Sequence, residues 1–93
     1  MSGSELIASE RWRQFEVEGY TAGHDAAEDD GALEKAAVSY ILSSIGDRKR
    51  GMKTWPWLLP FYKPKNRLRD LIRAGALIAA AIDRLQDKEY QGR

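Results

Sequence analysis

The chain contains no cysteine, so it can form neither a disulfide framework nor a thiolate metal site. It also lacks a long hydrophobic run: the longest apolar stretch, residues 74–82, is too short and too rich in alanine to span a bilayer. No basic stretch followed by an apolar run opens the sequence, so no signal peptide is predicted and a cytoplasmic location is expected. The formal net charge of +1 provides no general attraction to nucleic acid, and no duplex partner is expected.

The length and the pattern of apolar residues are typical of one small helical domain over residues 1–93. No strand pattern and no repeat is present, and apolar residues recur with the helical period in three segments. A chain of this length buries only about 60–65% of its extended surface. We therefore predict an all-α fold of three main helices that gains stability by associating as a dimer or higher oligomer.

Local signals place the three predicted helices. Ser2 and Glu5 have the spacing of a capping box, which predicts a first helix over about 4–18 that stops at Gly19. Asp29 or Asp30 is expected to cap a second helix over about 32–45. Residues 46–63 are predicted to form a long loop, and Pro64 or Asn66 to begin a third helix that reaches about residue 86 or further.

The third predicted helix has an apolar stripe on one side. Many alanines lie beside it, and small residues let a neighbouring helix approach closely, so this helix is expected to be the central packing element. The first predicted helix has two apolar faces, one of them interrupted by Glu10, Gln14 and Glu18. One of those faces is expected to meet the chain's own core and the other a second copy of the chain. The apolar stripe of the third predicted helix consists of Leu68, Leu71, Gly75, Ile78, Ile82 and Leu85.

The near-zero net charge conceals two halves of opposite sign. Residues 1–35 contain nine acids and three bases, whereas residues 36–75 contain nine bases and two acids. Either the halves fold against each other and neutralise, or an acidic site faces a basic rim that suits a phosphate ligand with a cation.

Carboxylates on the helices form the first candidate site. Glu10, Glu18 and Asp70 could hold Mg²⁺, with His24 or Asp25 handling an attacking water if the protein is an enzyme. The alternative interpretation is structural, because buried carboxylates usually have basic partners. Glu10 would then pair with Arg69 or Arg73, Asp70 would pair with Arg11 or Arg13, and His24 would lie on the surface.

A segment rich in aromatic residues and cations forms the second candidate site. Residues 55–64 contain four aromatics and three prolines, so they can form neither a regular helix nor a central strand. Bases stack on aromatic rings, and phosphates favour helix N-termini lined by cations. The alternative is an aromatic lid over a small core, with the cations solvated. The predicted stacking residues are Trp55, Trp57 and Tyr62, and the predicted phosphate contacts are Lys65, Arg67, Arg69 and Arg73.

Several short motifs, taken in order and spacing, resemble a family of small helical proteins encoded by bacteriophages and prophages. That resemblance implies phage origin and the host cytoplasm as location, but no particular chemistry. Towards the end of the last helix, where such proteins carry two glutamates before an arginine, this chain has Ala81 and Asp83 before Arg84. The motifs are Glu10-Arg11-x-Arg13-Gln14, Glu18-Gly19-Tyr20-Thr21, His24-Asp25, Leu33-x-x-Ala36-Ala37-x-x-Tyr40, Lys63-Pro64 and Arg69-Asp70-Leu71-Ile72-x-Ala74-Gly75-Ala76-Leu77-Ile78.

More loosely, the arrangement is similar to MazG-like all-α nucleotide pyrophosphohydrolases, which implies Mg²⁺ held by helix carboxylates. The paired acidic motifs of those enzymes are absent here, and only Glu10, Glu18 and Asp70 could replace them. We therefore favour a non-enzymatic accessory protein that binds a host nucleotide-type ligand or signal, to counter host defence. The alternatives are a Mg²⁺-dependent pyrophosphohydrolase and an inhibitor that binds a host protein through residues 55–62.

Overall fold

The computed structural model describes residues 1–18 and 31–91, and the side chains of residues 1–17 and 31–86. This part of the chain is all-helical and contains no strand. None of its helices combines the length and apolar character needed to cross a membrane. The α-helices are α1 (Gly3–Arg13), α2 (Ala32–Ser44), α3 (Arg48–Thr54) and α4 (Arg67–Gln91), with a π-helical turn at Gln14–Glu18 and a 3-10 turn at Leu59–Phe61.

Capping side chains set several helix ends. The predicted capping box opens α1: the hydroxyl of Ser2 accepts from the backbone N–H of Glu5 at 3.2 Å, and the carboxylate of Glu5 accepts from the N–H of Ser2 at 2.9 Å. At α4 the side-chain oxygen of Asn66 accepts from the N–H of Arg69 at 2.8 Å, so Asn66 rather than Pro64 is the cap. Gly31, at a left-handed φ of 79°, precedes α2. The alternative caps Asp29 and Asp30 lie outside the described residues.

Helix α3 corrects the prediction of one uninterrupted loop over residues 46–63, because the basic part of that segment is helical. The carboxylate of Asp47 accepts from the N–H of Arg50 at 3.1 Å and caps the helix. Gly51 lies in the middle of α3, where glycine is normally unfavourable. Its absent side chain lets α3 pack directly against α2, and this tertiary contact outweighs the local propensity.

Helix α4 is the central element, as predicted, since both α1 and α2 pack on it. Ser43 near the end of α2 meets Asp70 near the start of α4, and one turn further in Arg73 lies over the ring of Tyr40. Residue numbers rise along α4 while they fall along α2, so the two helices are antiparallel. Alanine dominates the buried cluster around this contact: Leu33, Ala36, Ala37, Tyr40, Trp55, Tyr62, Ala74, Leu77, Ala80 and Ala81.

Aromatic rings close one end of the α2–α4 pair. Trp55 and Tyr62 are buried and pack on Tyr40 with centroids 5.5 and 5.2 Å away. The hydroxyl of Tyr62 donates to the backbone carbonyl of Ser39 at 2.8 Å, and the indole N–H of Trp55 donates to the carbonyl of Leu58 at 3.0 Å. Burial raises the pKa of Tyr62 above its ordinary value, so its hydroxyl remains a donor.

The apolar stripe of α4 does not face the core. Its five large side chains are exposed, and α4 instead turns Asp70, Ala74 and Leu77 inward. In helix α1 the polar pair Glu10 and Gln14 is buried while Trp12 and Phe15 are exposed and stacked on each other at 5.5 Å. For α4, hydrophobicity alone therefore selects the wrong side, whereas for α1 the inward side is the predicted apolar face that Glu10 and Gln14 interrupt. The inward sides are those where alanines and the Glu10 ion pairs allow close contact.

We expect Gly51→Ala to lower the free energy of unfolding by roughly 2–3 kcal/mol. A Cβ at this position would overlap the hydroxyl of Tyr62 and lie 2.9 Å from the backbone oxygen of Ser39, so α3 would have to move and the Tyr62–Ser39 hydrogen bond would break. Urea denaturation measures the change.

The matched control is Gly3→Ala in α1, where a Cβ meets nothing within 4 Å. This variant should be neutral or stabilising by up to about 1 kcal/mol, since alanine is the better helix former. Equal destabilisation by both substitutions would contradict the packing role of Gly51.

Candidate functional site

Glu10 is the centre of a buried ion-pair network, although it was a predicted metal ligand. Only 2% of its surface is exposed. Arg13, three residues on, binds both carboxylate oxygens, with Nε to Oε1 at 2.8 Å and Nη2 to Oε2 at 2.7 Å. The amide of Gln14 donates to Oε2 at 3.1 Å, and a guanidinium N–H of Arg69 donates to Oε1. Both oxygens are thus engaged by protein donors.

The network also determines the charge state of Glu10. Burial by itself raises the pKa of this carboxyl, but the hydrogen bonds and charges of Arg13, the charge of Arg69 and the amide of Gln14 together outweigh burial and lower the pKa. Glu10 is therefore an ionised anchor. Its contact with Arg69 joins the acidic first half of the chain to the basic second half.

Asp70 has a separate set of partners. It is 1% exposed, its Oδ2 accepts from the hydroxyl of Ser43 at 2.9 Å, and its Oδ1 accepts from the backbone N–H of Lys65 at 2.8 Å. These bonds fix the chain leading into α4 against the end of α2. Of the arginines expected beside Asp70, Arg13 binds Glu10 instead, and Arg11 lies 3.5 Å from Asp83.

The geometry does not bring together a set of free metal ligands. Two cationic side chains already hold Glu10, and neutral donors hold Asp70, so these residues as placed do not fit a Mg²⁺ site. The side chain of Glu18 and residues His24 and Asp25 lie outside the described part of the chain. Within that part, no group of three or more histidine, aspartate or glutamate side chains could hold a metal ion. The predicted metal and catalytic roles therefore stay predictions.

The aromatic segment is divided between the core and the surface. The predicted stacking residues Trp55 and Tyr62 are buried, and Trp57 is half-buried with its ring 5.3 Å from that of Trp55. The exposed aromatic ring is that of Phe61, which follows exposed Leu58 and Leu59 on the 3-10 turn. Composition gives no signal for this division, since the buried and exposed residues are equally apolar.

Two of the four predicted phosphate contacts take part in holding the fold together. Arg69 binds Glu10, and Arg73 donates to the backbone carbonyl of Lys63 while its guanidinium lies 5.6 Å from the centroid of the Tyr40 ring. Lys65 and Arg67, by contrast, are exposed. The usable positive charge at the start of α4 is therefore smaller than the sequence suggests.

Helix α3 supplies further positive charge at the same place. Arg48 donates to the backbone carbonyl of Lys65 at 3.3 Å, which brings α3 beside the segment leading into α4. In residues 47–69, all of which are described, Asp47 is the only acid, and it is paired with Arg50. We term the exposed cations of this region the basic end: Arg48, Lys49, Arg50, Lys53, Lys63, Lys65 and Arg67.

Comparison of the chain with protein-family models, with curated proteins and with solved structures finds no match. The phage and MazG-like resemblances accordingly stay predictions from sequence motifs.

Replacing Glu10 by glutamine should lower the free energy of unfolding by roughly 2–3 kcal/mol, because it leaves Arg13 and Arg69 without their counter-charge in a buried contact. Chemical denaturation near neutral pH measures the loss. Glu16→Gln, an exposed neighbour on the same segment, is the matched control and should be close to neutral.

The difference in stability between wild type and Glu10→Gln should also depend on pH. Folding lowers the pKa of Glu10, so the stabilisation by its charge is complete above the ordinary value of 4.5 and is lost as the pH falls through the folded-state pKa. A difference that stays constant from neutral pH through this acidic range would contradict the ion-pair role.

Proposed function

We propose that this protein binds a phosphate-bearing, nucleotide-type ligand at its basic end and acts as a binding protein without catalysing a reaction. The observation that supports the proposal is the grouping of seven exposed cations on α3 and the segment leading into α4, with Asp47 as the only acid in residues 47–69. Such a one-signed surface attracts anions and suits phosphate oxygens, which lysine and arginine bind through charge-assisted hydrogen bonds.

The phosphate contacts of the proposal come from exposed side chains. Lys65 and Arg67 are exposed at the start of α4, and Arg48 and Lys63 lie beside them. Arg69 and Arg73, which bind Glu10 and the carbonyl of Lys63, act by shaping this region. Arg69 and Arg73 are therefore assigned to holding the fold of this region, and no longer to ligand contact.

The stacking contact is assigned to Phe61 and to the accessible part of Trp57. Phe61 and Lys63 are both exposed and are separated by one residue, so a ring and a cation are available close together in the chain. A base can stack on such a ring while its phosphates meet the cations. Trp55 and Tyr62 pack on Tyr40. These contacts hold both ends of the segment between them, which carries Phe61.

The motif resemblance extends the proposal to a biological role. A self-associating phage accessory protein with this surface would sequester a host nucleotide signal in the host cytoplasm and so weaken host defence. The Mg²⁺-dependent pyrophosphohydrolase alternative has less support, because Arg13, Gln14 and Arg69 already occupy the oxygens of Glu10.

Titration calorimetry against nucleoside triphosphates, cyclic oligonucleotides and pyrophosphate tests the proposal. We expect binding by at least one nucleotide. The double variant Lys65→Ala/Arg67→Ala should weaken it at least about tenfold, since it removes two charge-assisted contacts. Lys35→Ala, which removes an exposed cation of α2, is the matched control and should leave affinity unchanged. Absence of heat with every compound would refute the proposal.

A single aromatic substitution separates base stacking from phosphate binding. Phe61→Ala should weaken nucleotide binding about fivefold to a hundredfold, as expected for loss of a stacked base, and leave pyrophosphate binding unchanged. Equal losses for nucleotide and pyrophosphate would place the effect on the phosphate contacts and contradict the stacking role.

A second candidate function is favoured by the three exposed apolar side chains Leu58, Leu59 and Phe61 on one short turn. Such a projecting group, fixed at both ends and flanked by cations, also suits an apolar pocket with an acidic rim on a host protein. A host protein captured by the wild type but lost with Leu58→Ser would favour this function. Met52→Ser, on α3, is the control with a comparably exposed side chain.

A further inference from the structure

The outward side of α4 carries a regular row of large aliphatic residues. Leu68, Leu71, Ile78, Ile82 and Leu85 are each 43–65% exposed. With Gly75 they follow spacings of three, four, three, four and three residues, which is the a/d heptad pattern of helices that pack side by side. Among the described residues, Ile7 of α1 contacts this row at Gly75, and the five large side chains remain exposed.

Helix α2 presents a second row beside it. Val38, Ile41 and Ile45 are 38–63% exposed and have the same spacing of three and four residues. Because α2 and α4 are antiparallel, with Ser43 against Asp70 and Tyr40 against Arg73, Ile45 falls level with Leu68. The rest of the α2 row runs along the first half of the α4 row.

Both rows also face the same way. At about 100° per residue, each exposed row lies roughly a quarter to a third of a turn further round its helix than the buried row, in the direction of increasing residue number. The buried rows include Leu33 and Tyr40 on α2, and Ala74 and Leu77 on α4. In two antiparallel helices that face each other, this shared rotation turns both exposed rows to one side of the pair. They form one surface, which we term the α2–α4 face.

The core and this face differ in the size of their side chains. Five of the ten residues in the buried cluster are alanines, whereas all eight residues of the α2–α4 face are leucine, isoleucine or valine. In the described residues, eight large aliphatic side chains thus lie outside on this face, whereas Leu33, Ile72 and Leu77 are those that are buried. A single copy would leave in water much of the apolar area that could stabilise it.

We propose that the α2–α4 face is covered by the same face of a second copy of this chain, related by a two-fold axis. The eight side chains leave exposed on the order of 700 Å² per copy, close to the roughly 800 Å² per partner of a standard stable interface. A two-fold interface is self-complementary, so the same side chains of the two copies can interdigitate. The face contains no charge among its eight residues, as in the apolar interfaces of homodimers. This inference stands independently of the proposed ligand.

The assembly joins two helical pairs into a four-helix arrangement of α2 and α4 from each copy. In it the five large side chains of the α4 row pack against a matching row, while Gly75 is contacted by Ile7 of the chain's own α1. This places self-association on α2 and α4. The other candidate is the outer side of α1, where Trp12 and Phe15 form an exposed stacked pair.

Sedimentation equilibrium of the full chain over a wide range of micromolar concentrations tests the inference. Wild type should have the mass of two chains, and Ile78→Glu and Ile82→Glu should each reduce it to the mass of one, because a carboxylate cannot be buried in an apolar interface without a partner. Met52→Glu and Trp12→Glu introduce the same charge at exposed positions of α3 and α1, and both should remain dimeric. Circular dichroism checks that each variant keeps its helix content.

A second measurement avoids the charged substitutions and uses the absence of natural cysteine. The single thiol of Ile82→Cys should react with maleimide more slowly as protein concentration rises and dimers form. The thiol of Met52→Cys should react at a constant rate. A single-chain mass at every concentration, a concentration-independent rate for Ile82→Cys, or loss of association with Trp12→Glu alone would each overturn the inference.

Discussion

Alanines fill the contact between α2 and α4, so the two helices lie close together while little apolar area is removed from water. Other packing features compensate for this thin core. Rings from residues 40, 55 and 62 close one end, and a hydrogen bond from Tyr62 to the backbone of Ser39 ties α3 and the aromatic segment to α2. The large aliphatic residues that would fill a thicker core lie outside, on the α2–α4 face, and this is why a second copy becomes a structural requirement in our proposal.

Charge pairing explains how the remaining helix joins this pair. Glu10 attaches α1 to α4 through Arg69, and Arg13 completes the neutralisation of its carboxylate. The opposite charges of the two halves of the chain are thus partly consumed in folding. Exposed cations are concentrated at the basic end, where Arg50 pairs with Asp47 and Arg48 donates to the carbonyl of Lys65. The proposed ligand site uses this exposed charge. A charged residue that holds the fold is a poor candidate for a ligand contact, because binding would have to break a buried pair.

Local signals in the sequence were sufficient for much of the secondary structure. The capping box at Ser2, the cap at Asn66 and the helical period of α2 act within a few residues, so they can be recognised without tertiary information. The short helix α3 was not predicted, and glycine in its middle has a low helix propensity. Only the contact of Gly51 with Tyr62 and Ser39, far away in sequence, shows why glycine is needed there.

By itself, the sequence determined an all-helical chain with acids towards the start and cations beside an aromatic segment, because composition, caps and periodicity are local properties. The tertiary structure alone decided which sides of α1 and α4 turn inward, and which cations and rings stay available. Periodicity reveals that a helix has an apolar side but not what covers it. Close approach of alanines and pairing of buried charges determined the inner sides, and both depend on residues that meet only in the folded chain.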